Sequence, residues 1–251
     1  MWRKSLKGNP TLGSASTKWF WRLRGRLSNG GSGEALRAWG ALILAGGESR
    51  RLGTPNKALL SLGGQTLIGR VASQALKLCK TIVVSLALDA DEEAFRKTLP
   101  AGVQFVRDEV KGLGPLEGLR QGMRKLERLG VEYALTLACD LPFLNVEALR
   151  FMLEEAERLR VEALIPRWPN GFTEPLHSVY QPKPMLQALE EAITAGESLI
   201  MEAVGRLSRI SYLSVEELRR FDPQLLTLTN INTREDLERA KRMLRLGLAG
   251  G

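Results

Sequence analysis

The chain reads as an α/β protein whose sheet is covered by helices on both faces. Three observations carry that prediction. Apolar runs of strand length recur from residue 41 onward and alternate with segments of helical period. The runs are apolar throughout, as strands buried on both faces of a parallel sheet require. The first of them breaks into LAGGESRRLGTPNK, residues 44 to 57. Glycines and cations there crowd the place where an open α/β sheet holds its ligand.

In chain order, ALILA (41–45) is the first strand and the glycine-rich loop follows it. A helical pattern over 66–79 leads to TIVVSLAL (81–88), a second strand, and another over 91–98 leads to VQFVRD (103–108), a third. Helices over 115–129 and 146–160 flank the strand EYALTLAC (132–139), and EALIP (162–166) is the fifth strand. Beyond Pro166 the alternation loosens. PLHSVY (175–180) and RISYL (209–213) read as strands, 183–195 and 198–206 as helices. A last helix opens at Thr233, where Thr233 and Asp236 match a capping box. With no internal repeat and no second Pro/Gly-rich linker, one domain over 41–251 is the economical reading.

Composition bounds the function. The 251 residues can bury a sizeable core, and 44% hydrophobic with 25% charged residues is ordinary for a globular protein. No apolar run reaches the roughly 18 residues of a membrane span. Cys79 and Cys139 form no CxxC, which argues against a disulfide framework or zinc site and suits a reducing cytoplasm. The net charge of +8 suggests nucleic acid, but its distribution argues otherwise. Residues 1–39 hold eight Lys/Arg and one acid; the remainder holds 28 basic and 27 acidic residues. The basicity belongs to residues 1–40, expected to be a disordered extension or the product of an upstream start. Its WFWRLRGRL segment (19–27) also matches a weak membrane-surface or nucleic-acid contact, but lacks the clean apolar core of a secretory signal.

The chemistry concentrates in two stretches. In the first, Gly46 and Gly47 let the backbone approach a ligand, while Arg50, Arg51 and Lys57 supply positive charge for phosphate. The loop is not GxGxxG, and Thr54 after Gly53 excludes GxxxxGK[ST]; a solvated turn is the alternative to a phosphate cradle. The second is LTLACDLPFL (135–144), in which a strand ends in Asp140 before Pro142 halts the ladder. A carboxylate there suits Mg²⁺, which takes one or two carboxylates plus phosphate oxygens and waters; capping the next turn is the alternative. Asp108, in VRDEVKGLGPLEGL, could support the same edge or be an exposed turn acid. His177, the single histidine, lies inside an apolar strand, so a core or rim position is expected rather than catalysis.

The loop LAGG…RRLG…NKALL, GPLEGL, CDLPFL, PLHSVY and NINTREDL follow one another in this order. Together, over residues 41 to about 246, they resemble the molybdenum cofactor guanylyltransferases of the nucleotidyltransferase superfamily. The resemblance implies a Rossmann-like three-layer α/β/α fold with a mostly parallel mixed sheet. It implies Mg²⁺-dependent transfer of GMP from GTP to molybdopterin carrying molybdenum, with release of pyrophosphate. Leu44, Ala45, Gly46 and Gly47 match the family's nucleotide-binding signature, as does Arg51, and Lys57 matches its loop lysine. Asp108 matches a nucleotide-binding aspartate, Asp140 the Mg²⁺ ligand, and Asn230 and Asn232 asparagines near the pterin; Lys57, Arg51 and Asp140 would then carry catalysis. For the two asparagines, the lead-in to a capped helix is an equal alternative.

Two positions depart from the pattern. Asn56 stands where the family usually has Asp, and no asparagine follows TIVVS to meet the ribose or base. The resemblance further implies that the enzyme meets a molybdopterin insertase and recipient molybdoenzymes or their chaperones. From cysteine usage, charge distribution and hydropathy, a cytoplasmic location, no nucleic-acid partner and no membrane span are expected. The rivals are a molybdopterin cytidylyltransferase, another small-substrate nucleotidyltransferase and a non-catalytic cofactor-binding module. Retention of both Lys57 and Asp140 argues against the last.

Overall fold

The computed structural model describes residues 37–46, 56–110 and 112–247. The chain divides into Met1–Arg37 and Ala38–Gly251, and the elements below all belong to the second unit. The expected extension falls almost entirely outside the described residues, as do Gly47 and Arg51.

Among the described residues the strands are β1 (Trp39–Leu44), β2 (Ser61–Leu62), β3 (Gln65–Thr66), β4 (Thr81–Leu86), β5 (Gln104–Arg107), β6 (Tyr133–Ala138), β7 (Ala163–Arg167), β8 (His177–Tyr180) and β9 (Ile210–Ser214). The helices are α1 (Leu67–Ala75), α2 (Glu92–Arg96), α3 (Pro115–Arg128), α4 (Val146–Leu159), α5 (Pro182–Thr194), α6 (Ile200–Val204), α7 (Val215–Leu218) and α8 (Arg234–Arg245). Seven strands form one sheet in the order β5-β4-β1-β6-β8-β7-β9. β1, β4, β5 and β6 run parallel, which accounts for their uninterrupted apolar sequences. Ala41 and Ile43 pack with Ile68 and Val71 of α1 and Leu149 and Met152 of α4. On the opposite face Leu42 and Leu44 pack with Leu119 and Met123 of α3, in a layer that also takes in Met185 and Leu189 of α5.

The β1–α3 contact depends on glycine. A Cβ at Gly122 would lie 2.3 Å from both Cδ atoms of Leu42, and one at Gly118 would lie 3.0 Å from Leu44 Cδ2. Bare backbone at these positions lets α3 settle on the sheet. Gly114 takes φ +56° and Pro115 follows at the first helical turn, where its missing N–H costs nothing.

The expected elements are present with boundaries moved by a few residues; the hairpin β2–β3 and the short helix α7 are additional. SLGGQT, just ahead of α1, forms the hairpin β2–β3, its two glycines at φ +62° and +83° as a tight hairpin turn demands. The sheet is mostly parallel but mixed, as the resemblance implies: β8 lies between β6 and β7 and antiparallel to both. The cause is length. The link from β7 to β8 holds no helix, too little chain for the crossover that parallel pairing needs. Instead Gly171 N–H donates to Trp168 O (2.9 Å), Trp168 N–H to Phe172 O (2.8 Å) and Glu174 N–H to Pro166 O (3.0 Å), turning the chain back on itself.

Register then decides what meets at the carboxyl edge. Leu44 pairs with Ser85 and Ala138, and Leu86 with Arg107. Ala45–Gly46, Asp108 and Cys139–Asp140 therefore emerge side by side. The reversed β8 enters at this same edge, since His177 pairs with Leu137.

Candidate active site

Each polar group at this edge has an identifiable support. Lys57 opens a short 3-10 turn whose N-cap is Asn56; the Asn56 side-chain oxygen accepts from Ala58 N–H at 3.0 Å. Asparagine and aspartate cap almost equally well, so Asn in place of Asp keeps this local structure. Lys57 Nζ ion-pairs with Asp140 Oδ2 and donates to Asn232 Oδ1 at 3.3 Å. The loop after β1 and the segment before α8 are thus brought onto one carboxylate.

Asp140 is held from three directions. Cys139 N–H donates to Leu44 O (3.1 Å), binding β6's end to β1. Ile231 N–H donates to Asp140 O (3.0 Å), fastening the NINT segment. The side chain is buried, and Oδ1 has no hydrogen-bond partner among the described residues. A buried carboxylate oxygen without a donor is costly by itself and fits a hard cation. Three or more His, Cys, Asp or Glu side chains grouped for a metal do not occur among the described residues. A Mg²⁺ ion would therefore draw its other ligands from phosphate and water, which is its habit.

Asp108 follows β5, and its N–H donates to Leu86 O at 3.0 Å. A Cβ on Gly46 would lie 3.2 Å from Ala87 N, a tight contact, and 3.6 Å from Asp108 Oδ2, so the bare backbone eases this close approach of the first loop. Burial, then the negative Glu117, push the Asp108 carboxyl up to about 6, against the pull of the Ser85 hydroxyl. The turn-acid alternative thus gives way to a half-buried acid beside the loop.

Glu117, in the first turn of α3, carries a role that no motif in the sequence announces. It is fully buried, accepts from Glu109 N–H (3.0 Å) and Gln121 (2.9 Å), and ion-pairs with Arg120 at 2.7 Å. Burial pushes its carboxyl up, yet the hydrogen bonds from Arg120, Gln121 and the Glu109 amide bring it down to about 2. It anchors the residue next to Asp108. A charged residue inside the apolar face of α3 was the available signal.

A cavity of about 350 Å³ opens at this edge, lined among others by Leu44, Ala45, Gly46, Lys57, Asp140 and Asn230. Of the expected site residues, Asp108 borders Gly46 and does not line the cavity, while Asn232 reaches it through Lys57. The capping box at Thr233–Asp236 forms as well, with Asp236 N–H donating to Thr233 Oγ1 at 3.1 Å. Capping and proximity to the site are therefore compatible. The far wall runs from Phe172 to His177, a stretch whose sequence signals only a strand and its lead-in. His177 is 2% exposed, and burial pushes its imidazole down to about 4, so the ring is neutral. No helix among the described residues is long and apolar enough to cross a membrane.

The family model described as MobA-like NTP transferase domain matches residues 41–210. A probable molybdenum cofactor guanylyltransferase of Methanosarcina mazei is 34% identical over 202 residues, 79% of this chain and 88% of that protein. The molybdenum cofactor guanylyltransferase of Desulfosudis oleivorans is 32% identical over 206 residues, 82% of this chain and 96% of that one. The crystal structure of molybdopterin-guanine dinucleotide biosynthesis protein A from Archaeoglobus fulgidus superposes with a TM-score of 0.67 at 29% identity, covering 82% of this chain and 99% of that one.

Proposed function

Because the chain belongs to the MobA-like NTP transferase family, we propose that it transfers GMP from GTP to the molybdenum-bearing molybdopterin cofactor, forming the guanine dinucleotide and releasing pyrophosphate. The observation that carries this reading is the Lys57–Asp140 pair, set at the carboxyl edge against Gly46, with one Asp140 oxygen unmet among the described residues.

The nucleophile is a phosphate monoester oxygen of the acceptor, already ionised at neutral pH. It attacks the α-phosphorus of GTP, and the bond to the β-phosphate oxygen breaks as pyrophosphate leaves. No general base is needed, which agrees with a neutral buried His177. The barrier is that two anions must meet, so the protein's work is positioning and charge neutralisation. Backbone at Ala45 and Gly46 lies along the triphosphate's path, and Lys57 lends its charge to the phosphates. Arg51 is assigned the same task from the sequence. Asp108, held beside Gly46 by the Glu117 anchor, meets the nucleoside end. Asp140 is the residue that would hold Mg²⁺, which when bound neutralises phosphate charge and polarises the reacting phosphorus. Asn230 and Asn232 lie toward the acceptor.

We assign the reaction to the cytoplasm, where an insertase would supply the loaded pterin and molybdoenzymes or their chaperones would receive the product. The test offers GTP, CTP, ATP and UTP in turn with Mg²⁺ and molybdopterin. The triphosphate contacts ignore the base, so selection rests on groups meeting the guanine edge. GTP should be used at least about tenfold better than CTP, the equivalent of one hydrogen-bond difference. A preference for CTP would leave the fold and chemistry standing and overturn the guanylyl assignment.

A further inference from the structure

The strand order places β8 on the side of β6 away from β1, so the cavity continues past Asp140 into a second half. Cys139, Leu141, Leu176 and Leu228 make this half largely apolar. Within it, Glu174 already accepts from Trp168 Nε1 at 2.8 Å. His177 is different. Both of its ring nitrogens are buried, and neither has a hydrogen-bond partner among the described residues. Nearly all buried polar groups are paired, because an unmet donor or acceptor forfeits its bonds to water and gains nothing. At the rim of the same half stands Phe172, 62% exposed, an aromatic face without cover.

Resting on the function proposed above, we propose that His177 and Phe172 form the subsite for the acceptor's pterin ring, with the imidazole bonding the ring edge and Phe172 covering its face. The chemistry matches on each count. A pterin edge carries both donors and acceptors, so it can meet a neutral imidazole through either its N–H or its bare nitrogen. The fused ring is flat and suits apolar walls with an aromatic side chain against one face. Guanine has similar groups, but the proposed function assigns the nucleotide to Gly46 and Asp108 on the β1–β4–β5 side, with Lys57 and Asp140 between the two halves.

The test separates binding from turnover. The probe is 6-hydroxymethylpterin phosphate, fluorescent and carrying a single phosphate, titrated without GTP into wild type, His177→Leu, His177→Gln and Phe172→Ala. His177→Leu should weaken the probe by about tenfold, one hydrogen bond's worth, and leave the KM for GTP unchanged. Its melting temperature should equal or exceed that of wild type, since an unmet polar group has been replaced by an apolar one. His177→Gln should recover part of the binding. Phe172→Ala, at an exposed position that cannot compromise folding, should weaken the probe several-fold. The subsite is overturned if wild type fails to bind the probe, if both His177→Leu and Phe172→Ala bind it as wild type does, or if His177→Leu loses probe, GTP and thermal stability together. A wild type that binds the probe through His177 yet transfers no GMP would refute the proposed function and leave the subsite standing.

Discussion

Asp140 concentrates the site's electrostatics in one side chain, with one oxygen ion-paired to Lys57 and the other without a hydrogen-bond partner among the described residues. Asp140→Asn changes charge and little else, so turnover should collapse while the circular dichroism and melting curve stay close to wild type. Normal GMP transfer by the folded variant would remove Asp140 from the chemistry. Lys57→Ala should weaken GTP binding tenfold or more, since a charge-assisted contact to phosphate is worth about 1.5–3 kcal/mol. Calorimetric titration with GTP checks this. Asp108 supplies a pH dependence of opposite character. Its carboxyl is raised from 3.8 to about 6, so the folded state keeps a proton that the unfolded chain releases. Stability should therefore fall as pH rises from about 4 to about 6 and level off above, where both states are ionised. Asp108→Asn should flatten that window and add on the order of 1 kcal/mol at pH 7, discounted for the group's partial exposure. Urea melts at pH 4, 5, 6 and 7 measure both. The same substitution should weaken nucleotide binding, which would mark the acid as retained for function at the expense of stability.

Helix α3 does two jobs at the scale of an element, and they call for opposite kinds of residue. Gly118 and Gly122 offer no side chain, so the helix lies against Leu42 and Leu44. Glu117, beside them, offers a charge that ties down the segment after β5. Gly122→Ala gains helix propensity of about 1 kcal/mol but forces a methyl into Leu42, and overpacking costs about 1–3 kcal/mol. A net loss of up to about 2 kcal/mol is expected in chemical denaturation. A neutral or stabilising result would mean that Leu42 has room to move. The antiparallel β8 shows the same coupling of local sequence to placement. Its apolar run announced a strand, while its direction came from the short turn at Trp168–Phe172.

The charge of the whole molecule is divided unevenly along the chain. The unit from Ala38 onward contains the entire matched domain and a nearly balanced set of charges, and the basic excess precedes it. Removing residues 1–36 should leave GMP transfer and melting temperature nearly unchanged. The cut spares Ala38, whose carbonyl accepts from Glu132 N–H at 2.8 Å, and Trp39 in β1. A truncated chain that fails to fold or to turn over would assign those residues a structural or catalytic part.

Fold class, the strands of the sheet and the positions of Lys57 and Asp140 were legible in the sequence because they are local matters. Burial on two faces writes itself as an unbroken apolar run, and a strand's end writes itself as Gly, Asp or Pro. The capping box at Thr233 was legible for the same reason, being satisfied within four residues. Partnership between distant segments left no such mark. Lys57 meeting Asp140 and Asn232, the direction of β8, the burial of Glu117 and the unmet nitrogens of His177 all depend on which strands lie side by side. Pairing is a choice among many segments with similar apolar patterns, decided by the packing of the whole core, and no short stretch of sequence contains it.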